Sequence, residues 1–423
     1  MKINVLIFPC EGNSNELHDA LSYCVNINLY GASSVQRHGK YIFKNYCSTL
    51  PYVDDKNFIS VFNEYLEQNK IDVVIPQHDT IALFLAENKE KIHAKIVQGN
   101  VKTNRICRSK IKTHEFFENT NFVPKRYKRL DDVKYPVFVK PDIGEGGHGA
   151  FIANNESELQ NIDFSNHLIT ECLTGIEYTV DCFTDKNGVL RYIAPRKRSR
   201  VMAGISVSGE TVSLTDDIEE IAREINKRLS FEGLWYFQLK EDATGVLKLM
   251  EVSVRCAGSM CLTRAKGINL PLLTIYTAMG QEISIFDNQR NVQMDRALFS
   301  RYNVNVEYDD VYIDFDDTIT LRGAVNPLAM FFLYQCHNKG KKVFLLTRHI
   351  NDIYESCKKY AISEDLFTKI VHIKDDAPKS AYIKSKKAIF IDNMFKERME
   401  VSKNCGIPVY DADGFEFLLD WRV

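Results

Sequence analysis

Apolar and polar positions follow three successive rhythms along this chain, and each predicts a different kind of sheet. Over residues 1 to about 103, apolar runs alternate with helix-like segments. Residues 3–8 form an unbroken apolar run, and Glu11-Gly-Asn-Ser-Asn15 makes a turn into a helix. Residues 71–76 read as a second buried strand, followed by a helix near 80–88 and a third strand in Ile96-Val-Gln-Gly99. Strands alternating with helices imply a parallel sheet. From about 104 to 290 the signals turn antiparallel. Residues 135–140 and 149–153 flank a glycine loop, 177–183 alternate at the strand period, and 217–229 carry apolar residues at helical spacing. Two further strands lead into Glu251, and the polar stretch 287–295 reads as a linker. From about 308 onward strict alternation returns, with strands at 311–314, 342–346, 369–372 and 388–392. That is a second open parallel sheet, in which ligands bind at the carboxyl ends of strands. Asp314, Thr347 and Asp392 stand at such ends. The expected division is 1–103, 104–290, a linker at 291–307, and 308–423.

Bulk composition narrows the function classes. A chain of 423 residues exceeds one ordinary domain. Its 45% hydrophobic and 26% charged residues suit globular protein, and a net charge of −2 gives no global attraction to nucleic acid or anionic membrane. No apolar run reaches the ~18 residues of a membrane helix. The opening run is interrupted by Asn4, is too short for a signal peptide and lacks a small-residue cleavage site, so it reads as a buried strand. Eleven scattered cysteines without a Cys-x-x-Cys pair point to reduced thiols in a cytoplasmic protein, with neither a zinc site nor a disulfide framework. Of the basic clusters, Lys384 to Lys387 reads as a solvated loop.

Candidate phosphate chemistry appears first in Lys140-Pro-Asp-Ile-Gly144-Glu-Gly146-Gly147-His-Gly149. A Walker loop is absent. Glycines between two strands let backbone amides approach an anion closely. Gly12 after the first strand lacks the G-x-G-x-x-G context of a dinucleotide site. Lys110 can supply a second cation. In Thr170-Glu171-Cys172-Leu173-Thr-Gly-Ile-Glu177, a linker backbone can read adenine and Glu177 can accept from ribose hydroxyls. Gln238 and Glu251 lie thirteen residues apart on two expected neighbouring strands, so both can face one metal. Magnesium takes oxygen ligands, mostly from phosphate and water.

The ordered set Lys110, Lys140 with its glycine loop, Glu171 to Glu177, Gln238 and Glu251-Val-Ser-Val-Arg255 resembles the ATP-grasp superfamily, in its carbamoyl-phosphate-synthetase-like branch. The likeness extends over residues 1 to about 290, including a Rossmann-like preceding domain with Ile71-Asp-Val-Val-Ile-Pro-Gln-His-Asp79. It implies ATP-dependent ligation of a carboxylate to an amine, or to a thiol, through an acylphosphate. It also implies that Lys110 and Lys140 hold phosphates, the backbone of Glu171, Cys172 and Leu173 contacts adenine, and Glu177 contacts ribose. Gln238 and Glu251 would bind magnesium, with manganese as a substitute ion, and Arg255 would stabilise the transferring phosphoryl or the carboxylate. Arg198 either assists or belongs to a solvated strand end, Arg196-Lys-Arg198. Two positions depart from the family: Ser253 stands where an asparagine ligand is usual, and Thr170 replaces an acid. Dimers are common among such proteins, which makes a homodimer the analogy-based expectation.

The second candidate is Val311-Tyr-Ile-Asp314-Phe-Asp316-Asp-Thr318. Residues two apart on a strand share a face, so one carboxylate can act as nucleophile and the other as acid-base. Thr347 can hydrogen-bond a phosphoryl group, Lys379 can neutralise charge, and Asp392 can complete a magnesium site with Asp314 and Asp316. The set resembles the haloacid dehalogenase (HAD) superfamily over about 308–423. That implies an aspartyl-phosphate on Asp314 and acid-base work by Asp316, while Asn393 replaces a frequent second acid. Only 28 residues separate Thr318 from Thr347, and 31 separate Thr347 from Lys379, which leaves no room for a cap domain.

The fold class expected is therefore multidomain α/β: Rossmann-like domain, α+β ATP-grasp domain and capless HAD-like domain. The expected function is a bifunctional enzyme. A ligase takes small carboxylate and amine substrates, and a phosphatase removes a phosphate ester in the same pathway. The alternative is an active phosphatase with a catalytically silent ATP-binding domain.

Overall fold

The apolar run at residues 3–8 becomes the central strand of a five-stranded parallel sheet. The computed structural model describes residues 2–12, 14–97, 99–144 and 146–422. Met1, Asn13, Gln98, Glu145 and Val423, which belong to the expected opening run, first turn, third strand, glycine loop and last domain, lie outside the described residues. Strands β1 (Ile3–Phe8), β2 (Ile27–Ala32), β3 (Asn45–Cys47), β4 (Val73–Pro76) and β5 (Lys95–Ile96) pair in the order β3-β2-β1-β4-β5. All are parallel. A strand covered on both faces needs apolar residues at successive positions, and Val5, Leu6 and Ile7 are fully buried. β2 and β3 contain too few consecutive apolar residues to show in the pattern. The strand order reverses at β1 and β4, and β4 ends at the helix Asp79–Glu87, which His78 caps by accepting from the Thr80 amide.

Two antiparallel sheets follow. β6 (Val137–Pro141) pairs with β7 (Phe151–Ala153) and β8 (His167–Glu171). The larger sheet contains β9 (Glu177–Thr184), β10 (Leu190–Met202), β11 (Ile205–Thr211), β12 (Gly233–Glu241), β13 (Leu247–Ser253) and β14 (Gln293–Asp295). Their order is β13-β12-β9-β10-β11-β14. The helix Asp216–Arg228 buries Ile218, Ile221, Ala222 and Ile225, packing them with Trp235 and Phe237 in one core. Each buried isoleucine contributes about 1.5–3 kcal/mol. The acids of its first turn and bases of its last complement the helix dipole. β14 lies within the segment expected as a linker. It joins the sheet by backbone pairing to β11, with Asp295 opposite Ser208, so its polar side chains give no strand signal.

The chain divides into two compact units between Leu298 and Phe299. In the second unit β15 (Asp310–Ile313) is central. A short hairpin of β16 (Thr320–Leu321) and β17 (Ala324–Val325) follows it, then β18 (Lys342–Thr347), β19 (Lys369–His372), β20 (Ala388–Ile391) and β21 (Val409–Tyr410). The sheet order is β19-β18-β15-β20-β21, again parallel. Its core includes Val311, Ile313, Phe332 and Ile389. Among the described residues no helix is long and apolar enough to cross a membrane.

Candidate functional sites

β6 carries Lys140 to the wall of a cavity of about 420 Å³, which Lys110, Gly144, Gly146, Gly147, Glu177, Arg198, Gln238, Glu251 and Arg255 also line. Asp142, unremarked in the sequence, aligns two of these elements. Its carboxylate accepts from the Ser109 hydroxyl (2.7 and 2.9 Å) and the Ile111 amide (2.7 Å). The start of the helix Lys110–Phe116 is thereby pinned to the glycine loop. Lys110 Nζ donates to the carbonyls of Asp142 (3.3 Å) and Gly144 (3.0 Å), and Lys140 Nζ to that of Met250 (3.0 Å). Burial lowers both lysine pKa values, Lys140 to about 8, against the opposing pull of Glu251. Gly146 and Gly147 have φ of +61° and +70°, a region open chiefly to glycine. Gly204, in the β10–β11 turn, lies so close that a Cβ there would stand 2.7 Å from the Gly147 nitrogen.

On the opposite wall Gln238 and Glu251 are direct register partners across β12 and β13. Glu251 accepts from the Tyr236 hydroxyl at 3.3 Å. Ser253 is buried and donates to Asp79 Oδ1 at 2.7 Å, so its hydroxyl proton is committed there. Asp79 Oδ2 accepts from Arg255 Nε at 2.9 Å. Burial works to raise the Asp79 pKa, but Arg255 and the Ser253 hydroxyl outweigh it and hold the carboxyl below its ordinary value. Arg198 pairs with Glu177 and donates to Gln238 Oε1 at 3.1 Å and the Gly204 carbonyl at 2.8 Å. Of the two readings left open for Arg196-Lys-Arg198, the solvated strand end is the one corrected, since Arg198 lines the cavity. Arg196 is buried and pairs with buried Asp181, because β10 is an interior strand there. Tyr236, Asp79, Asp142 and Arg296 were missed as cavity or supporting residues. Only the position of Asp79 after a buried strand could have signalled one of them.

A second cavity, of about 130 Å³, shares Phe138, Lys140 and Met250 with the first. Glu171, Cys172 and Leu173 line it with Ile152 and Leu249. It is a mostly apolar slot beside a segment whose backbone leaves the sheet after β8. Glu171 itself accepts from the Lys125 amide at 2.8 Å.

The site in the second unit is smaller and more charged. Lys379 Nζ lies 2.6 Å from both Asp314 Oδ1 and Asp392 Oδ2, and all three are buried. Burial pushes the Asp314 and Asp392 carboxyls up while Lys379 pulls them down. Asp392 Oδ1 accepts from the Met394 amide at 2.8 Å. Thr347 is buried at the end of β18, and its Oγ1 accepts from the His349 amide at 3.2 Å. The strand-face argument for Asp314 and Asp316 is corrected: β15 ends at Ile313, and residues 315–319 form an irregular turn with φ +50° at Asp317. Asp316 therefore stands on a turn, where its carboxylate meets His349 Nδ1 at 2.9 Å. Asn393 donates its amide to Thr318 Oγ1 at 3.1 Å.

Among the described residues no three His, Cys, Asp or Glu side chains converge as a ready metal cage. The donors present suit a hard cation whose shell is completed by phosphate and water. Glu251 accepts one long hydrogen bond and keeps lone pairs free beside the Gln238 amide. Asp314 and Asp392 share the single Lys379 ammonium.

Three comparisons bear on the first unit. Residues 163–299 match the family model described as ATP-grasp in the biosynthetic pathway with Ter operon. The carbamoyl phosphate synthase arginine-specific large chain of Bacillus subtilis (strain 168) is 23% identical over 189 residues, covering 42% of this chain and 18% of its own length. The carbamoyl-phosphate synthase of Methanobrevibacter smithii is 25% identical over 259 residues, covering 54% and 69%. This chain thus spans less than a fifth of the Bacillus protein. Among solved structures, the biotin carboxylase domain dimer of Hydrogenobacter thermophilus 2-oxoglutarate carboxylase, in complex with MgADP and bicarbonate, superposes with TM-score 0.55 at 16% identity. It covers 68% of this chain and 72% of that one. The first unit has the ATP-grasp fold. In sequence it is similar to carbamoyl phosphate synthases.

Proposed function

We propose that the first unit is an ADP-forming ligase that activates a small carboxylate with ATP and passes it to an amine. The observation that carries this reading is a single arrangement. Gln238 and Glu251 are register partners in the cavity that Lys110 and Lys140 line, next to an apolar slot at Glu171, Cys172 and Leu173. Adenine would occupy the slot, Glu177 would meet ribose, and the lysines and glycine-loop amides would hold phosphates. Magnesium held by Glu251 and Gln238 would neutralise phosphate charge. A carboxylate oxygen attacks the γ-phosphorus, the bond to ADP breaks, and the amine then displaces phosphate from the acylphosphate. Arg255, held by Asp79, meets the charge that moves; positioning and charge neutralisation supply most of the acceleration. A homodimer is proposed by analogy with the biotin carboxylase domain dimer.

The second unit is proposed as a magnesium-dependent phosphatase of the HAD type. Asp314 attacks phosphorus, the ester oxygen leaves with a proton from Asp316, and water releases phosphate from the aspartyl-phosphate. Thr347 and Lys379 hold the phosphoryl oxygens, and Asp392 would help to hold a magnesium ion that neutralises phosphate charge. One observation favours the alternative of a silent nucleotide-binding unit: Ser253, at the usual asparagine position, donates to Asp79. The test is ADP release against carboxylates and amines, with phosphate tracked in the same wells, for wild type and Glu251→Ala. ADP that needs an acid and Glu251 supports the ligase. No ADP, with ester hydrolysis retained, supports the alternative.

A further inference from the structure

We infer that Arg296 binds a second anionic group on the carboxylate substrate, so that the ligase selects a compact dianion, either a dicarboxylate or a phosphorylated acid. The inference rests on the ligase reading and deepens it. Arg296 follows β14 and lines the larger cavity. Its amide donates to the Val207 carbonyl at 2.7 Å, and its Nη2 donates to the Gly258 carbonyl. The backbone is therefore fixed to β11 and the guanidinium to the Gly258 carbonyl. The other two arginines in this cavity each have a carboxylate partner, Asp79 for Arg255 and Glu177 for Arg198. Among the described residues Arg296 has none, and its only other polar neighbours are the sulfurs of Cys261 and Met294 at 3.9 Å. A guanidinium with Nε and Nη1 open matches a carboxylate or phosphate by two parallel hydrogen bonds.

Ser259 reinforces this chemistry. It lines the same cavity and is buried, and its Oγ accepts from Arg196 Nε at 2.9 Å, so its own proton is free to donate. That part of the wall therefore offers donors. Arg255 Nη1 donates to the Cys256 carbonyl at 3.3 Å and Arg296 Nη2 to the Gly258 carbonyl, and two residues of chain span at most about 7 Å. Two guanidiniums held on carbonyls that near in the chain suit a short molecule with an anionic group at each end.

The experiment compares succinate with butyrate, and phosphoglycolate with glycolate, in ADP release by the full chain. The two pairs separate a carboxylate from a phosphate as the second anion. The expected result is that wild type prefers one dianion, and that Arg296→Gln lowers its kcat/KM ratio over the matched monoanion about 10- to 100-fold. Arg296→Lys should recover part of that ratio. An unchanged ratio, or an equal loss for both acids, overturns the inference. If no acid yields ADP, the ligase reading fails separately, and thermal unfolding with the same four acids decides. A dianion that raises the Tm of wild type and not of Arg296→Gln supports the site; equal shifts, or none, overturn it.

Discussion

Asp79 joins three parts of the first site through one carboxylate, binding the Ser253 hydroxyl and Arg255 and belonging to the helix after β4. Asp79→Ala would leave the largely buried Arg255 guanidinium without its counter-charge. Removing one partner of a buried pair costs about 3–5 kcal/mol. Both groups here retain some solvent, so a loss of about 2–3 kcal/mol is expected in denaturant unfolding. A loss under about 1 kcal/mol would mean that water replaces the carboxylate. Lys140 gives a pH signature. Its pKa falls from 10.5 to about 8 through burial, so the empty site loses its ammonium as pH rises through 8, and binding ATP must then recover a proton. The KM for ATP should be flat below about pH 7 and rise toward tenfold per pH unit above about 8; Lys140→Met should remove that slope. Lys110, Lys140, Gln238 and Glu251 could be read from the sequence because their order and residue types form a motif. Asp79 could not be paired with Ser253, because the contact joins residues 174 positions apart.

At the level of elements, the glycine loop depends on a hairpin that the sequence conceals. Arg196, Arg198 and Arg200 mask the strand pattern of β10, although the strand runs from Leu190 to Met202. Its turn places Gly204 against Gly146 and Gly147 with φ +73°. Gly204→Ala would add a methyl group where backbone already stands, and a left-handed alanine costs about 1–2 kcal/mol. The expected outcome is a rise of about tenfold in the KM for ATP, corresponding to about 1.4 kcal/mol of lost binding. An unchanged KM, measured by steady-state ADP release, would show that the loop shapes itself without the hairpin. The parallel strands β1, β4, β15, β18 and β20 were legible because full burial demands apolar runs. β14 was not legible, because backbone pairing at a sheet edge makes no demand on side chains.

Across the whole molecule, each proposed chemistry is assembled within one unit. Val5, Ile7, Phe183 and Leu234 belong to a core of the first unit, and Val311, Ile313, Phe332 and Ile389 to a core of the second. Every hydrogen bond described above for Glu251 or Asp314 is made inside its own unit. Glu251→Ala should therefore abolish ADP release by 100-fold or more while leaving ester hydrolysis within about twofold, and Asp314→Asn should do the reverse. Lys379→Met should go further than Asp314→Asn. It leaves two buried carboxylates facing each other without the ammonium 2.6 Å from each, a loss on the order of 3–5 kcal/mol to the second unit. The unfolding transition of residues 299–422 should move to lower denaturant while the KM for ATP stays unchanged. A Lys379→Met protein that loses ADP release together with phosphatase activity would show that the two units share stability, and the assignment of one chemistry to each would have to be withdrawn.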